Sequence, residues 1–327
     1  MFKKMNITNT KKIQLYKEML RIRLIEEAIA NEYSNQEMRC PIHLSIGQEA
    51  IAVGVSALLS KHDLALSAHR SHAHYLAKGG DLKLMLSELY GKETGCAKGK
   101  GGSMHLFDLE AGLIAAVPIV GSTIPIGVGV AWQKVRKNIP GIVVIYFGDG
   151  ATEEGVFSES LDFASLKNLP VLFVCENNLY SVYTPIELRQ NPHRKISQIS
   201  KAHGIASKTG DGNNVEEVCS LTKLAIEYIQ DKRKPFLLEL STFRWLEHCG
   251  PNWDDHLGYR KEGELKEWMI KCPLKRFEKI LINEKIISDS DIVRINNNIK
   301  DEIEESFEYA KGSLFPPSDA LYDHIYA

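Results

Sequence analysis

Gly148-Asp149-Gly150 and Glu176-Asn177-Asn178 are the segments of this 327-residue chain whose residue types and spacing most directly suggest chemistry. Each follows an apolar run rich in β-branched and aromatic residues, Ile142 to Phe147 and Val171 to Cys175, and 26 residues lie between Gly150 and Asn177. The runs read as buried strands and the segment between them as a helix, which makes a βαβ unit. A right-handed crossover returns the chain parallel to itself, so both strands end on one edge of the sheet, where open α/β sheets bind ligands. A helix of about 15 residues spans ~22 Å, enough to run back along such a strand. Asp149 and Asn178 therefore converge. A carboxylate oxygen beside a carboxamide oxygen suits a hard cation such as magnesium, which keeps part of its shell for phosphate oxygens. Glycines on either side of Asp149 let the backbone approach a phosphate, and the following helix N-terminus offers unpaired amides. The implied ligand is a diphosphate.

The elements that must position these residues follow from hydrophobic patterning. Strands that are apolar throughout, rather than alternating, are buried on both faces, so the fold class is α/β with a mainly parallel sheet flanked by helices. Phe236 to Leu240 reads as a further strand. Residues 11–34 read as an amphipathic helix with Ile13, Tyr16, Leu20, Leu24, Ala28 and Tyr33 near one face. Further helices are expected at about 45–60 and 80–92, separated by the histidine-rich SAHRSHAHYLAKGG, and GCAKGKGGSMH is too rich in glycine for a regular element. From Glu262 onward the chain is charged and periodic and reads as helical, ending in LFPPSDALYDHIYA. With no repeat or Gly/Ser linker, residues 1–327 are expected to form one α/β domain with helical additions at about 11–38 and 262–312.

Composition excludes several classes of function. A formal charge of -2 and a pI near 6.6 provide no drive toward nucleic acid or anionic lipid. The 44% of hydrophobic residues places the chain among ordinary globular proteins. The six cysteines are scattered with no C-x-x-C pair, which argues against a zinc or dithiol site and for free thiols in a reducing compartment. The N-terminus lacks the apolar stretch of a secretory signal, and Ala115 to Trp132 is interrupted by prolines and glycines, so no membrane span and a cytoplasmic location are expected. A dinucleotide site is disfavoured because no G-x-G-x-x-G follows a strand.

The arrangement of Gly148-Asp149-Gly150, then 26 residues, then Asn177-Asn178 resembles the thiamine diphosphate signature. The surrounding GDGATEEGVFSESLDFASLKNLPVLFVCENN is similar to the alpha subunit of 2-oxo acid and acetoin dehydrogenases. The resemblance extends to HLSIGQEA at 43–50, AHRSHAHYLAKGG at 68–80, GKGGSMH at 99–105, IVGSTIPIGVGVA at 119–131 and GYR at 258–260. It implies the thiamine diphosphate-binding fold and, residue by residue, a magnesium ion held by Asp149, Asn178 and the backbone carbonyl of Tyr180. It further implies that Arg70, beside His69, contacts the diphosphate, that Gly150 and Ala151 offer backbone contacts to the phosphates, and that Val120 offers one to the aminopyrimidine. Pro118 stands where a glycine is frequent in the family, and His69 where tyrosine is. His105 resembles a histidine lining the substrate channel and His248 the one beside the cofactor's reactive carbon; both are candidate catalytic residues, since imidazole exchanges protons near neutrality.

The loop holding His248 departs from the family pattern, reading Leu246-Glu247-His248-Cys249 where many relatives have histidines and a serine. Cys249 cannot take the place of a phosphorylated serine. Trp245, Trp253, Asp254, Asp255 and His256 are expected either to line an unusual pocket or merely to pack and be solvated. The resemblance also implies the reaction: cleavage of a 2-oxo acid or acyloin on thiamine diphosphate, with the acyl unit passed to an acceptor such as lipoamide. The alternative is a split transketolase-like or carboligating enzyme that transfers the unit to an aldehyde. The glutamate that activates the aminopyrimidine belongs to a separate domain in such enzymes, so a beta subunit is expected, in an assembly of two alpha and two beta chains, with a lipoyl acyltransferase as a further partner.

Overall fold

The computed structural model describes residues 5–323; residues 1–4 and 324–327, the ends of the basic N-terminal stretch and of the C-terminal tail, lie outside the described residues. Eight strands occur among the described residues: β1 (Leu64–Ser67), β2 (Leu113–Ala116), β3 (Val143–Gly148), β4 (Val171–Asn177), β5 (Tyr180–Ser181), β6 (Thr184–Pro185), β7 (Ala206–Asp211) and β8 (Phe236–Ser241). Six of them form one sheet in the order β2-β1-β3-β4-β8-β7, with every pairing parallel, while β5 and β6 make a short antiparallel hairpin. The N-terminal half contributes helices α1 (Asn9–Tyr33), α2 (Glu49–Ser56), α3 (His72–Lys78), α4 (Leu82–Leu89), α5 (Thr123–Arg136) and α6 (Gly155–Leu166). The C-terminal half contributes α7 (Ile186–Arg189), α8 (Ile196–Ala202), α9 (Val215–Lys232), α10 (Glu264–Ile270), α11 (Pro273–Asn283) and α12 (Asp289–Gly312).

The expected fold class is the observed one, and its cause is visible in the central strands. Val144, Tyr146, Leu172 and Val174 face a core built with α1 to α4, α9 and the C-terminal helices. Their neighbours Val143, Ile145, Phe147, Phe173 and Cys175 face a second core built with α5, α6 and α8. Both faces of the sheet are dry, so alternation is absent from the sequence. Gly127 lets α5 lie against β3, because a Cβ there would stand 2.5 Å from Ile145 Cδ1.

The strands at 142–147, 171–175 and 236–240 are found with shifts of a residue or two, whereas β1, β2 and β7 were not expected. β1 and β2 are four residues each and carry too little pattern to stand out from their flanks. The face read for the first helix is rotated. Of the six residues named, Tyr16 and Leu20 are buried, while Leu15, Met19, Ile22, Ile25 and Ile29 take the deeper positions. α1 packs against α2, α3, α11 and α12 together, so its buried band is wider than one stripe and includes Arg23 and Glu26. The apolar stretch at 115–132 is the end of β2, a turn and α5, and no helix among the described residues is long and apolar enough to cross a membrane.

Candidate active site

Strand order decides where the site forms. The chain moves outward from β1 to β2 on one side and from β3 to β4 on the other, so β1 and β3 flank a point where connections diverge, the usual ligand crevice of such sheets. β3 delivers Gly148-Asp149-Gly150 to this edge, β4 delivers Asn178, and β1 delivers Ala68, His69 and Arg70. The loop after β8 supplies His248. His69, Arg70, Val120, Asp149, Gly150, Ala151, Asn178, Tyr180 and His248, nine residues singled out from the sequence, all line one cavity. His105 does not. Its neighbour Met104 lines the cavity, whereas His105 is exposed with Nδ1 2.7 Å from the Gly101 carbonyl oxygen.

Asp149 is 1% exposed and Asn178 is buried beside it on the next strand's end. Burial pushes the Asp149 carboxyl above its ordinary range, and the pull of Arg189 opposes that shift. Arg189, at the end of α7, hydrogen-bonds Asp149 Oδ2 and also Glu153. No motif pointed to Arg189, because its proximity arises from the β5–β6 hairpin folding back over the edge. Asn178 Oδ1 accepts from the Tyr180 backbone N–H at 3.2 Å, and its Nδ2 donates to Gln48 Oε1 at 3.2 Å. The donor types fit a hard divalent ion: the Asp149 carboxylate and the Asn178 carboxamide line one cavity beside Gly148, where a Cβ would meet nothing within 4 Å beyond its chain neighbours.

Arg70 is 7% exposed and ties two walls together. Its Nη1 donates to the Leu44 carbonyl at 2.6 Å and its Nη2 to the His248 carbonyl at 3.1 Å. Burial, with the nearby Arg244 charge, lowers it to about 10, so it remains a cation at neutral pH, as a diphosphate contact requires. The other histidines of the 68–80 segment are held by hydrogen bonds, and His74 also lines the cavity. His72 bridges Glu26 of α1 at 3.1 Å and Ser103 at 2.7 Å. His74 bridges Ser67 at 2.8 Å and Glu176 at 3.3 Å while stacking on Tyr146.

His43, quoted from the sequence only as the start of HLSIGQEA and given no role, joins His69 and His248 in the cavity with ring centroids 4.8 to 5.1 Å apart. Burial first, then the Arg70 charge, holds His43 down to about 2, His248 to about 3 and His69 to about 4. All three are neutral at physiological pH. A ring that stays neutral in the fold but takes a proton when unfolded has no effect well above pH ~6.5 and destabilises as the pH falls below it. Stability should therefore decline from about pH 6.5 toward pH 4, with each ring costing up to about 2 kcal/mol at pH 5. Urea midpoints at pH 7 and pH 5 check this. His43→Phe should flatten the decline, and an unchanged decline would show that His43 is protonated in the fold.

The glycine-rich loop is held by one carboxylate. Glu88, 1% exposed at the end of α4, accepts the backbone N–H groups of Ala97 at 2.7 Å, Gly99 at 2.9 Å, Gly101 at 2.7 Å and Gly102 at 3.0 Å. Gly95 must lack a side chain, since a Cβ would stand 2.3 Å from Glu88 Oε2. Hydrogen bonds to a charged acceptor contribute about 1.5–3 kcal/mol each, and buried donors left unpaired are costly. Glu88→Ala should lower unfolding stability by at least about 3 kcal/mol. Glu88→Gln should recover part of it, and a loss below about 1 kcal/mol would mean that the loop finds other partners.

Of the 245–257 loop only His248 lines the cavity; Trp245 and Asp254 are buried in packing, and Trp253, Asp255 and His256 are exposed. Asp254 is buried between Arg244 at 3.3 Å and Arg260 at 3.1 Å, and Trp245 lies under the Arg23 guanidinium. All six cysteines are free, with Cys249 exposed.

With this geometry in place, comparison with known proteins decides the family. Residues 17–318 match the model of the dehydrogenase E1 component family. The chain belongs to that family. It is 33% identical over 99% of its length to the pyruvate dehydrogenase E1 component subunit alpha of Rickettsia felis, covering 98% of that protein. The subunit of the same name from Zymomonas mobilis is 34% identical over 96% of this chain and 88% of its own length. A chloroplastic alpha-3 subunit of Oryza sativa is 31% identical over 98% of this chain and 77% of its own. The resemblance read from the sequence, to alpha subunits of thiamine diphosphate-dependent dehydrogenases, is borne out, and this E1 chain is an enzyme subunit of that class.

Proposed function

We propose that this chain is the alpha subunit of a dehydrogenase of the pyruvate type, cleaving a 2-oxo acid on thiamine diphosphate and passing the acyl unit to a lipoyl acceptor. The observation that carries this reading is the single cavity shared by Asp149, Asn178, Tyr180 and Arg70 in a chain of the E1 family. The names of the relatives support pyruvate as substrate, and they do not favour the carboligating alternative.

Asp149, Asn178 and the Tyr180 carbonyl would hold magnesium, and Arg70 with the backbone at Gly150 and Ala151 would hold the diphosphate. Thiamine diphosphate, when bound, supplies the carbon nucleophile and electron sink for cleavage beside a carbonyl. His248, kept neutral by burial and by Arg70, serves as an N–H donor toward a developing oxyanion rather than as an imidazolium acid. His69 adds a second neutral ring on the same wall, and Val120 offers its backbone to the aminopyrimidine. His105 stands outside this wall and would act on substrate in the approach to the cavity.

Ile119, Val120 and Ile126 are exposed at the start of α5 beside the cavity, an apolar surface suited to cover by the beta subunit. An assembly of two alpha and two beta chains with a cofactor at each alpha–beta contact accommodates this. Mixing purified alpha and beta chains with thiamine diphosphate and magnesium should give release of carbon dioxide from pyruvate coupled to reduction of an artificial electron acceptor. Neither chain alone should do so. Carbon–carbon bond formation with an aldehyde, without acceptor reduction, would overturn the proposal.

A further inference from the structure

His43, His69 and His248 form a cluster whose geometry resembles a metal site of a different kind from the oxygen donors at Asp149 and Asn178. The three rings come from the segment before α2, the turn after β1 and the loop after β8, so only the tertiary fold unites them. One ring nitrogen from each lies within 4.8 Å of the other two. None of the three rings makes a hydrogen bond among the described residues, and the Nδ1 of His43, a side chain 6% exposed, is buried with no partner.

Three imidazoles with one coordination position left open form the donor set of a borderline-soft ion, whereas magnesium demands oxygen. We propose that His43, His69 and His248 bind one first-row transition ion of the zinc class in the cofactor-free enzyme, and that this ion excludes thiamine diphosphate. The second half rests on the cofactor reading above, because Arg70 and His248 bound both sites; the first half rests on the cluster alone. Tetrahedral zinc with nitrogen at ~2.05 Å sets nitrogens about 3.3–3.4 Å apart, so the rings must close by about 1.5 Å at most, a matter of side-chain rotation at an open cavity wall. The rings are already neutral, so no proton has to leave before coordination. Arg70 opposes a cation, and its guanidinium is held in place by the Leu44 and His248 carbonyls.

The test uses the alpha–beta complex stripped of cofactor and metal, titrated with cobalt(II) by visible absorption and with zinc by calorimetry. One ion per alpha chain is expected, with a low-coordination cobalt band that zinc displaces. His43→Phe and His69→Phe should each weaken binding at least about tenfold, as loss of a ligand requires. Absence of the band, or unchanged affinity in both variants, would overturn the site. Zinc-loaded complex should bind thiamine diphosphate with magnesium at least about tenfold more weakly than the stripped complex, and undiminished binding would overturn the exclusion. If the stripped complex fails to bind the cofactor yet takes up zinc in a histidine-dependent way, the cofactor reading falls and the metal site stands. If it binds the cofactor but not zinc, the metal site alone falls.

Discussion

Asp149→Ala is expected to abolish the stabilisation that thiamine diphosphate with magnesium confers on the alpha–beta complex. Ligand at about a hundred times its dissociation constant contributes roughly 2.7 kcal/mol to the folded state, so the wild-type thermal midpoint should rise on addition and the variant's should not. The argument rests on charge. Asp149 is the buried carboxylate at the carboxyl end of β3, and the other proposed donors, the Asn178 amide and the Tyr180 carbonyl, are neutral. Without it, a divalent ion would have to shed water for neutral oxygens alone, which magnesium does reluctantly. The substitution also frees Arg189, whose side chain is 10% exposed and still paired with Glu153. The apo protein should therefore lose little stability, and Asp149→Asn should behave like the alanine variant in cofactor binding. An equal midpoint rise in wild type and variant would remove Asp149 from the metal site.

His248→Ala should leave cofactor binding largely intact and lower turnover by about 10²- to 10⁴-fold, the range for a positioned proton-handling or oxyanion-stabilising group. This separation is expected because Arg70 is anchored by the backbone carbonyl of His248, not by its ring. Removing the imidazole would therefore take away the proposed donor without releasing the guanidinium proposed to hold the diphosphate. The loss should fall on kcat with the Michaelis constant for the 2-oxo acid little changed, as for an interaction made chiefly in the transition state. Unchanged turnover would assign the reacting-centre role elsewhere in the histidine cluster.

Much of the site was legible before any coordinates. The order of strand, Gly-Asp-Gly, helix, strand, Glu-Asn-Asn contains its own geometry, since a right-handed crossover leaves little choice about which edge both motifs reach. Arg189 was not legible, because it meets Asp149 only through the hairpin at 180–185 and no local pattern marks that contact. Glu88 was hidden for a related reason. A buried glutamate at the end of an apolar helix looks like surface charge until the loop that wraps it is seen. Asp254 was left open between a pocket wall and packing, and the fold decides for packing, as the buried counter-charge of Arg244 and Arg260.

What the amino-acid order determined by itself was the α/β class, the parallel central strands and the convergence of Asp149 with Asn178, because these depend on local burial patterns and on chain handedness over some 30 residues. What only the tertiary structure decided was which distant segments share the crevice. β1 pairs with β3 across nearly 80 residues of intervening chain, and that choice brings His69 and Arg70 to the edge that carries Asp149. The loops carrying His43 and His248 close on them from two further directions. Long-range pairing of this kind is set by the packing of whole faces against one another, and a run of four or five residues does not encode it.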